Sequence, residues 1–249
     1  MLKAVLNNSL KGLIVGALSA GALFSLYPQT APKPATLKVL VAEQQNSPVL
    51  LLPTFVDDSN PLVPRYGYSL TNKSDKKITA YTIQRKAVLS DGGTNVGYHV
   101  VDFPAVKSLI TPNQNRQDEL GYVSFQLPPT SITLSIDFVE FADRTRSGAD
   151  NSKTGEMLDG KRQGGQLAIK KFGEILASKG IEGLSASLES ASLIEPPDKT
   201  KSDAWLNGFR TGVNVTKLRL TTAKQKGGRE GAEKVLKQGF DSVDGRQEP

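Results

Sequence analysis

The chain has 249 residues, a formal net charge of +6 and no cysteine. This length fits one or two domains, and the lack of cysteine excludes disulfides, thiolate zinc sites and thiol nucleophiles. The basic excess lies at the two ends, since residues 1–35 carry three Lys and no acid, and residues 151–249 carry 17 Lys and Arg against 13 Asp and Glu. A bias this mild permits contact with anionic surfaces but does not require it.

The N-terminus has the order of an export signal. Lys3 and Lys11 precede an uncharged apolar stretch, and a proline-rich segment follows that stretch. We therefore expect residues 1–26 to be a signal peptide or membrane anchor, and residues 27–36 to be an extended linker.

Two fates of this segment stay open. Cleavage near Ala20-Gly21-Ala22, which fits the small-x-small pattern of signal peptides, would release the rest of the chain. Retention of residues 12–27 as a short membrane-spanning helix would anchor it. Either outcome predicts an exported protein in the periplasm, at the cell surface, or held by the inner membrane and facing outward.

Short β-favouring runs separated by turn residues fill residues 37–146. This spacing predicts one antiparallel sandwich. Strands are expected at Leu37–Ala42, Val49–Leu52, Arg65–Asn72, Lys77–Leu89, Val96–Val100, Val123–Leu127 and Ile132–Phe141.

The last of these strands changes phase. Ile132, Leu134, Ile136 and Phe138 share one face, after which the apolar positions move to Val139 and Phe141. Such a shift predicts a β-bulge, or a strand that passes from one-sided to two-sided burial.

Two stretches carry a resemblance to known proteins. Tyr68–Ile83 looks like the strand-turn-strand of bacterial immunoglobulin-like and fibronectin-like domains, and Ile136–Asp143 is similar to terminal strands of uncharacterised exported bacterial proteins. The resemblance covers residues 37–146 and implies a fold and a location but no activity. The expected fold is mainly β: an immunoglobulin-like antiparallel β-sandwich, preceded by an N-terminal hydrophobic helix and followed by a basic, partly helical or disordered C-terminal tail.

The C-terminal part of the chain is predicted to be a linker followed by a tail. Residues 147–165 are rich in Gly, Asp, Lys and Ser and predict a flexible linker. Residues 166–249 show several short helical patterns, one of them capped by Ser202, and Val215–Thr222 could be a strand. No repeat period is apparent. These helices could dock on the sandwich, pair with one another or stay partly disordered.

Side chains suited to catalysis are sparse. His99 is the only histidine, and a surface or packed role is the favoured interpretation. The remaining candidates for acid–base chemistry or calcium binding are carboxylates, for which solvated charges are the favoured interpretation: Asp57, Asp58, Asp137, Glu140 and Asp143. No metal site or cofactor is predicted.

Trp205, Phe209 and Arg210 are the candidate binding residues. On a basic helix they could contact a membrane or a partner, or they could dock the tail on the domain. The sequence favours a non-catalytic binding or structural module of the cell envelope that uses its tail on a protein partner or an anionic surface, without nucleic acid. The alternatives are a carboxylate-based glycoside hydrolase acting on extracellular or cell-wall polysaccharide, and a subunit of a secretion or surface assembly.

Overall fold

The computed structural model describes residues 36–102, 109–120, 123–190 and 194–240. The predicted signal peptide or anchor, including residues 12–27, lies outside these ranges. In chain order the elements are β1 (Lys38–Val41), β2 (Val49–Asp57), β3 (Arg65–Asn72), β4 (Ile78–Leu89), β5 (Thr94–Asp102), β6 (Asn115–Leu120), β7 (Pro129–Phe141), β8 (Arg146–Ser147), α1 (Thr154–Glu189) and α2 (Asp203–Gln238).

The strands form two sheets around one core. The larger sheet has the order β1-β7-β4-β5 with β8 paired to β7, and the smaller has the order β2-β3-β6. The β1–β7 pair is parallel and the other pairs are antiparallel. Tyr68 of β3 and Tyr81 of β4 join the two sheets through a hydrogen bond of 2.8 Å between their hydroxyls. Buried apolar side chains of both sheets make the core, among them Leu51, Leu70, Ile83, Ile132 and Leu134.

The expectation of a mainly β protein was too narrow. Strands account for about 33% of the described residues and helices for about 37%, so this part of the chain has a mixed architecture of two sheets followed by two long helical elements. The helical content was underestimated because the apolar stripes of the helices are interrupted by glycines, which have low helix propensity.

A β-bulge in β7 explains the phase change seen in the sequence. Thr82 of β4 is paired with Phe138, whereas the next residue, Ile83, is paired with Ile136, so Asp137 is the extra residue. A bulge turns the following side chains to the other face. Phe138 therefore leaves the face that it was expected to share with Ile136, and it packs outside the sandwich core.

One predicted strand is absent, and one edge strand was not predicted. The stretch Val123–Leu127 has no strand, although Phe125 is buried in the core and its amide donates to the carbonyl of Leu62. β6 was missed because its sequence, NRQDEL, carries no apolar alternation. It is an edge strand that needs to bury only part of its side chains, so a polar composition is tolerated there.

The predicted linker and tail strand are both helical. α1 begins at Thr154, inside the stretch 147–165 that was expected to be flexible, and the stretch Val215–Thr222 lies within α2. Buried Val213, Thr216 and Leu220 recur at helical spacing on α2. The prediction that Ser202 caps a helix is confirmed, because its hydroxyl accepts a hydrogen bond of 3.2 Å from the Trp205 amide.

A glycine breaks each helical element and reverses the chain. Gly180 in α1 and Gly228 in α2 have φ values of 64° and 56°. Before these breaks the two elements run parallel, since Thr216 contacts Gly165 and Gly208 lies against Met157. After the breaks the chain returns, as shown by contacts of Lys217 with Ser190, Lys224 with Ser185, and Phe240 with Gly165. The result is a bundle of four helical segments, residues 154–179, 181–189, 203–226 and 229–238.

α1 and α2 have glycines at matching positions, although no repeat was apparent in the sequence. The same separation relates Gly160 to Gly208, Gly164 to Gly212, and Gly180 to Gly228. The first two pairs lie where α1 and α2 cross, and an added Cβ at any of these four glycines would collide with backbone of the other helix. Glycine is needed here because the helices approach closely. Among the described helices, none has a stretch long and apolar enough to span a bilayer.

Candidate functional site

Glu140 lies at the centre of the contact between β7 and residues 146–162. We call this contact the junction. The Glu140 side chain is 0% exposed. Its carboxylate accepts hydrogen bonds of 3.1 Å from Arg146 Nε and from Arg162 Nη1, and it makes a further contact with Arg162 Nη2. A buried carboxylate is tolerated only with such pairing. Arg146 also binds Asp159 at 2.5 Å, which is the main reason that the pKa of Arg146 is raised.

Asp137 holds the turn that leads into α1. Its carboxylate accepts hydrogen bonds of 2.9 Å from the amides of Asn151 and Ser152, and one of 3.0 Å from the Asn151 side chain. Its own carbonyl accepts from the amide of Asp150. The Asp150 carboxylate in turn accepts from the Gly155 amide, and burial raises its pKa. The bulge residue thus fixes the place where α1 begins.

Apolar and polar contacts complete the junction. Ala80, Phe138 and Leu158 form a small buried cluster between the larger sheet and α1. The hydroxyls of Thr82 and Thr154 lie 2.7 Å apart. Lys161 of α1 binds Asp102 of β5 at 2.5 Å, and the two side chains are 13% and 12% exposed. The first turns of α1 are therefore attached to three strands of one sheet.

The bulge brings Asp137 and Glu140 to the same junction, but both carboxylates are occupied by structural partners. The other predicted acids lie elsewhere. Asp143 is exposed, bound to Lys76 at 2.7 Å, and this contact is the main cause that lowers the pKa of Asp143 to about 2. Asp57 accepts from the Ser59 amide and Asp58 from the Leu37 amide. Among the described residues, no three His, Cys, Asp or Glu side chains are placed to share a metal ion.

His99 faces the interior of the sandwich. Its ring lies 6.4 Å from that of Tyr68, and burial lowers its pKa. Nearby, the guanidinium of Arg85 donates to Asn95 at 2.9 Å and lies over the ring of Phe125. Three enclosed atoms in this region have no hydrogen-bond partner in the described part of the chain: Tyr66 Oη, Arg85 Nε and His99 Nε2. This polar cluster was not predicted, although Arg85 at an inward position of a long alternating strand indicates it.

Trp205 and Phe209 lie inside the helical bundle. Their rings stack with centroids 5.4 Å apart, and Trp205 is 7% exposed and Phe209 0%. Their backbone contacts Gly160 and Gly164. Arg210 lies on the surface, where its guanidinium donates a long hydrogen bond of 3.5 Å to the side chain of Asn207. The two rings therefore pack the bundle, and Arg210 is the member of the predicted group that remains accessible.

The basic charge of the C-terminal region is concentrated on α2. α1 carries five basic and five acidic residues, whereas α2 carries eight basic and three acidic residues. No acid occurs between Asp203 and Glu230. The surface of α2 is the part of the bundle best suited to an anionic partner.

Comparisons with known proteins identify no family. No family model and no curated protein matches the chain. A hypothetical protein from Peptoclostridium difficile 630 is 14% identical, with a TM-score of 0.29, over 45% of this chain and 91% of its own. A Northeast Structural Genomics Consortium target is also 14% identical, with a TM-score of 0.24, over 40% of this chain and 75% of its own. Likenesses this low support no inference about fold or function.

Proposed function

We propose that the protein is an exported or membrane-anchored, non-catalytic module of the cell envelope, which binds a partner or supports an assembly. The observation that supports this proposal is that the carboxylates of Asp137 and Glu140 are already bound by other residues of the chain. A hydrolase needs two carboxylates that reach the substrate. Here both are buried and bound to residues 146–162, and they attach the helices to the sandwich.

We further propose that the two sheets form an immunoglobulin-like sandwich. The sheet order supports this. The chain passes from one sheet to the other after β1, after β3, after β5 and after β6, so the sheets are built from interleaved strands, as in immunoglobulin-like folds. β1 lies parallel to β7 at one edge of the larger sheet. Such domains serve as platforms for binding surfaces, and the fold does not select a ligand.

In this proposal the helical bundle is the contact element. Its fixed attachment at the junction gives it one orientation on the sandwich, and α2 supplies a surplus of positive charge. The partner is a protein or an anionic surface of the envelope.

Export is tested by fusing the full chain to a reporter enzyme that becomes active only outside the cytoplasm. We expect activity from the unaltered chain. Leu18→Lys should abolish it, because a charge within the apolar run prevents partition into lipid. Ser9→Lys adds the same charge before the run, where positive residues are tolerated, and should leave activity unchanged. Equal activity of the Leu18→Lys and Ser9→Lys fusions, or none from the unaltered chain, contradicts the proposal.

The non-catalytic role is tested by incubating the purified chain with cell-wall and extracellular polysaccharides. We expect no released sugar. Asp137→Asn serves as the control, because it removes a charge from the candidate pair. Turnover of a glycan that disappears in a folded Asp137→Asn variant would establish a hydrolase instead.

A further inference from the structure

The exposed side of α2 carries uncharged side chains at regular spacing. One series of exposed positions recurs along it every three or four residues, so these positions lie on one stripe of the helix. After Asp203 in the first turn, the six positions of this stripe are uncharged: Asn207, Thr211, Asn214, Leu218, Thr222 and Gln225. Leu218 at the middle is 67% exposed, the largest value among the exposed large apolar side chains of the described residues. We call this stripe the α2 ridge.

Basic side chains border the α2 ridge on both sides. Arg210, Lys217 and Lys224 are spaced by whole heptads and lie on one side, and Arg219 and Lys226 are spaced in the same way on the other. Lys217 and Lys224 lie next to the returning segment of α1, where they donate to Ser190 and Ser185.

Four of these five basic side chains have no acidic partner among the described residues. No carboxylate of the described residues lies within 4.0 Å of Arg210, Lys217, Lys224 or Lys226, whereas Lys171 of α1 and Lys199 of the segment before α2 do have acidic partners. An uncharged stripe with an exposed leucine and two cationic borders is complementary to the surface of an anionic bilayer. The leucine can enter between headgroups while the cations meet lipid phosphates on both sides.

We propose that the α2 ridge docks on the surface of a bilayer that contains anionic phospholipid. The proposal deepens the envelope role above and rests on it. Nucleic acid fits this surface less well, because phosphate contacts require cations along the ridge itself, where the residues here are neutral.

The absence of cysteine allows a direct test in the full chain. A nitroxide is attached to Asn214→Cys on the ridge, or to Lys171→Cys on α1 as the control. Each labelled protein is mixed with vesicles of phosphatidylcholine alone, or with vesicles that also contain phosphatidylglycerol. The access of the label to a water-soluble relaxation agent is then measured. Residues 12–27 could bind both vesicle types, so the informative quantity is the difference between them.

We expect the label at position 214 to lose access to water only on the anionic vesicles, with recovery at high salt, and the label at position 171 to stay accessible. Replacing Arg210, Lys217 and Lys226 by Gln should weaken this charge-dependent binding about fivefold for each residue. The same change at Lys170, Lys171 and Lys179 removes equal charge from α1 and should have a much smaller effect.

Three results would overturn the proposal. The label at position 214 could remain accessible on anionic vesicles, the two triple variants could weaken binding equally, or polyglutamate or DNA could protect the label where vesicles do not. In these cases the protein can still be exported, so a failed docking test is distinguishable from a failed export test. Leu218→Ser, which leaves every charge in place, should weaken the docking several-fold by removing the inserted side chain.

Discussion

Glu140 of β7 and Arg162 of α1 form a buried ion pair that attaches the helical bundle to the sandwich. Arg146 of β8 binds the same carboxylate and Arg144 lies 4.0 Å from it, so three cations converge on one acid that is 0% exposed. The net contribution of such a pair to stability is small, but the loss of one member leaves uncompensated charge in a dry environment. The pair therefore defines how the two parts of the molecule are held together.

The crossing of α1 and α2 predicts opposite effects for two glycine-to-alanine changes. Gly212→Ala places a Cβ against the Lys161 carbonyl and should destabilise the bundle by about 2 kcal/mol or more, since the helices must separate. Gly173→Ala, in the same bundle, meets no atom within 4 Å and should stabilise it by about 0.5–1 kcal/mol through helix propensity. Urea unfolding monitored by helical circular dichroism compares the two, and equal effects would refute the close crossing.

The reversals at Gly180 and Gly228 make a second prediction. Both residues combine positive φ with strongly negative ψ, a backbone conformation that is nearly restricted to glycine and costs a residue with a Cβ about 1–3 kcal/mol. Gly180→Ala and Gly228→Ala should each destabilise the bundle by about that amount. Gly227→Ala is the matched control, because Gly227 has a φ of −138° and no neighbour within 4 Å, so alanine fits there. Thermal melting of the three variants gives the comparison, and a Gly227→Ala loss equal to the other two would count against the reversals.

His99 predicts a pH dependence that can be assigned to one residue, since the chain has no other histidine. Burial lowers its pKa below the ordinary value of about 6.5, so the unfolded chain takes up this proton at a higher pH than the folded chain. Stability is therefore complete above about pH 6.5 and falls as the pH decreases through that value towards the folded pKa.

His99→Gln should remove this slope. Urea unfolding at a series of pH values between about 5 and 7.5 compares the variant with the unaltered protein. A slope that persists unchanged in His99→Gln would mean that another group causes it.

The sequence allowed the β part to be predicted better than the helical part, for physical reasons. Alternation marks β3 and β4, whose expected and observed bounds nearly coincide. The phase change predicted after Phe138 correctly indicated a bulge, but the side chain of Phe138 was placed on the wrong face because the extra residue, Asp137, precedes it. β6 has no apolar pattern at all.

The helical bundle was hidden by its glycines. Gly160 and Gly164 were interpreted as part of a linker because glycine normally disfavours helix, yet here its missing side chain allows α2 to approach. The partners of Glu140 could not be predicted either. Arg162 is 22 residues away in the chain, and only the position of α1 on the sheet brings it to the carboxylate.

The most direct test of the structural role of Glu140 is urea unfolding of Glu140→Gln beside Glu174→Gln. Glu174 is exposed and pairs with Lys171 at 3.7 Å, so its loss should change the free energy of unfolding by less than about 1 kcal/mol. Glu140→Gln removes the buried partner of Arg146 and Arg162, which keep their contacts with Asp159, and should lower the free energy of unfolding by about 1.5–3 kcal/mol. A change in Glu140→Gln no larger than in Glu174→Gln would contradict the account, because Glu140 would then not hold the helices on the sandwich.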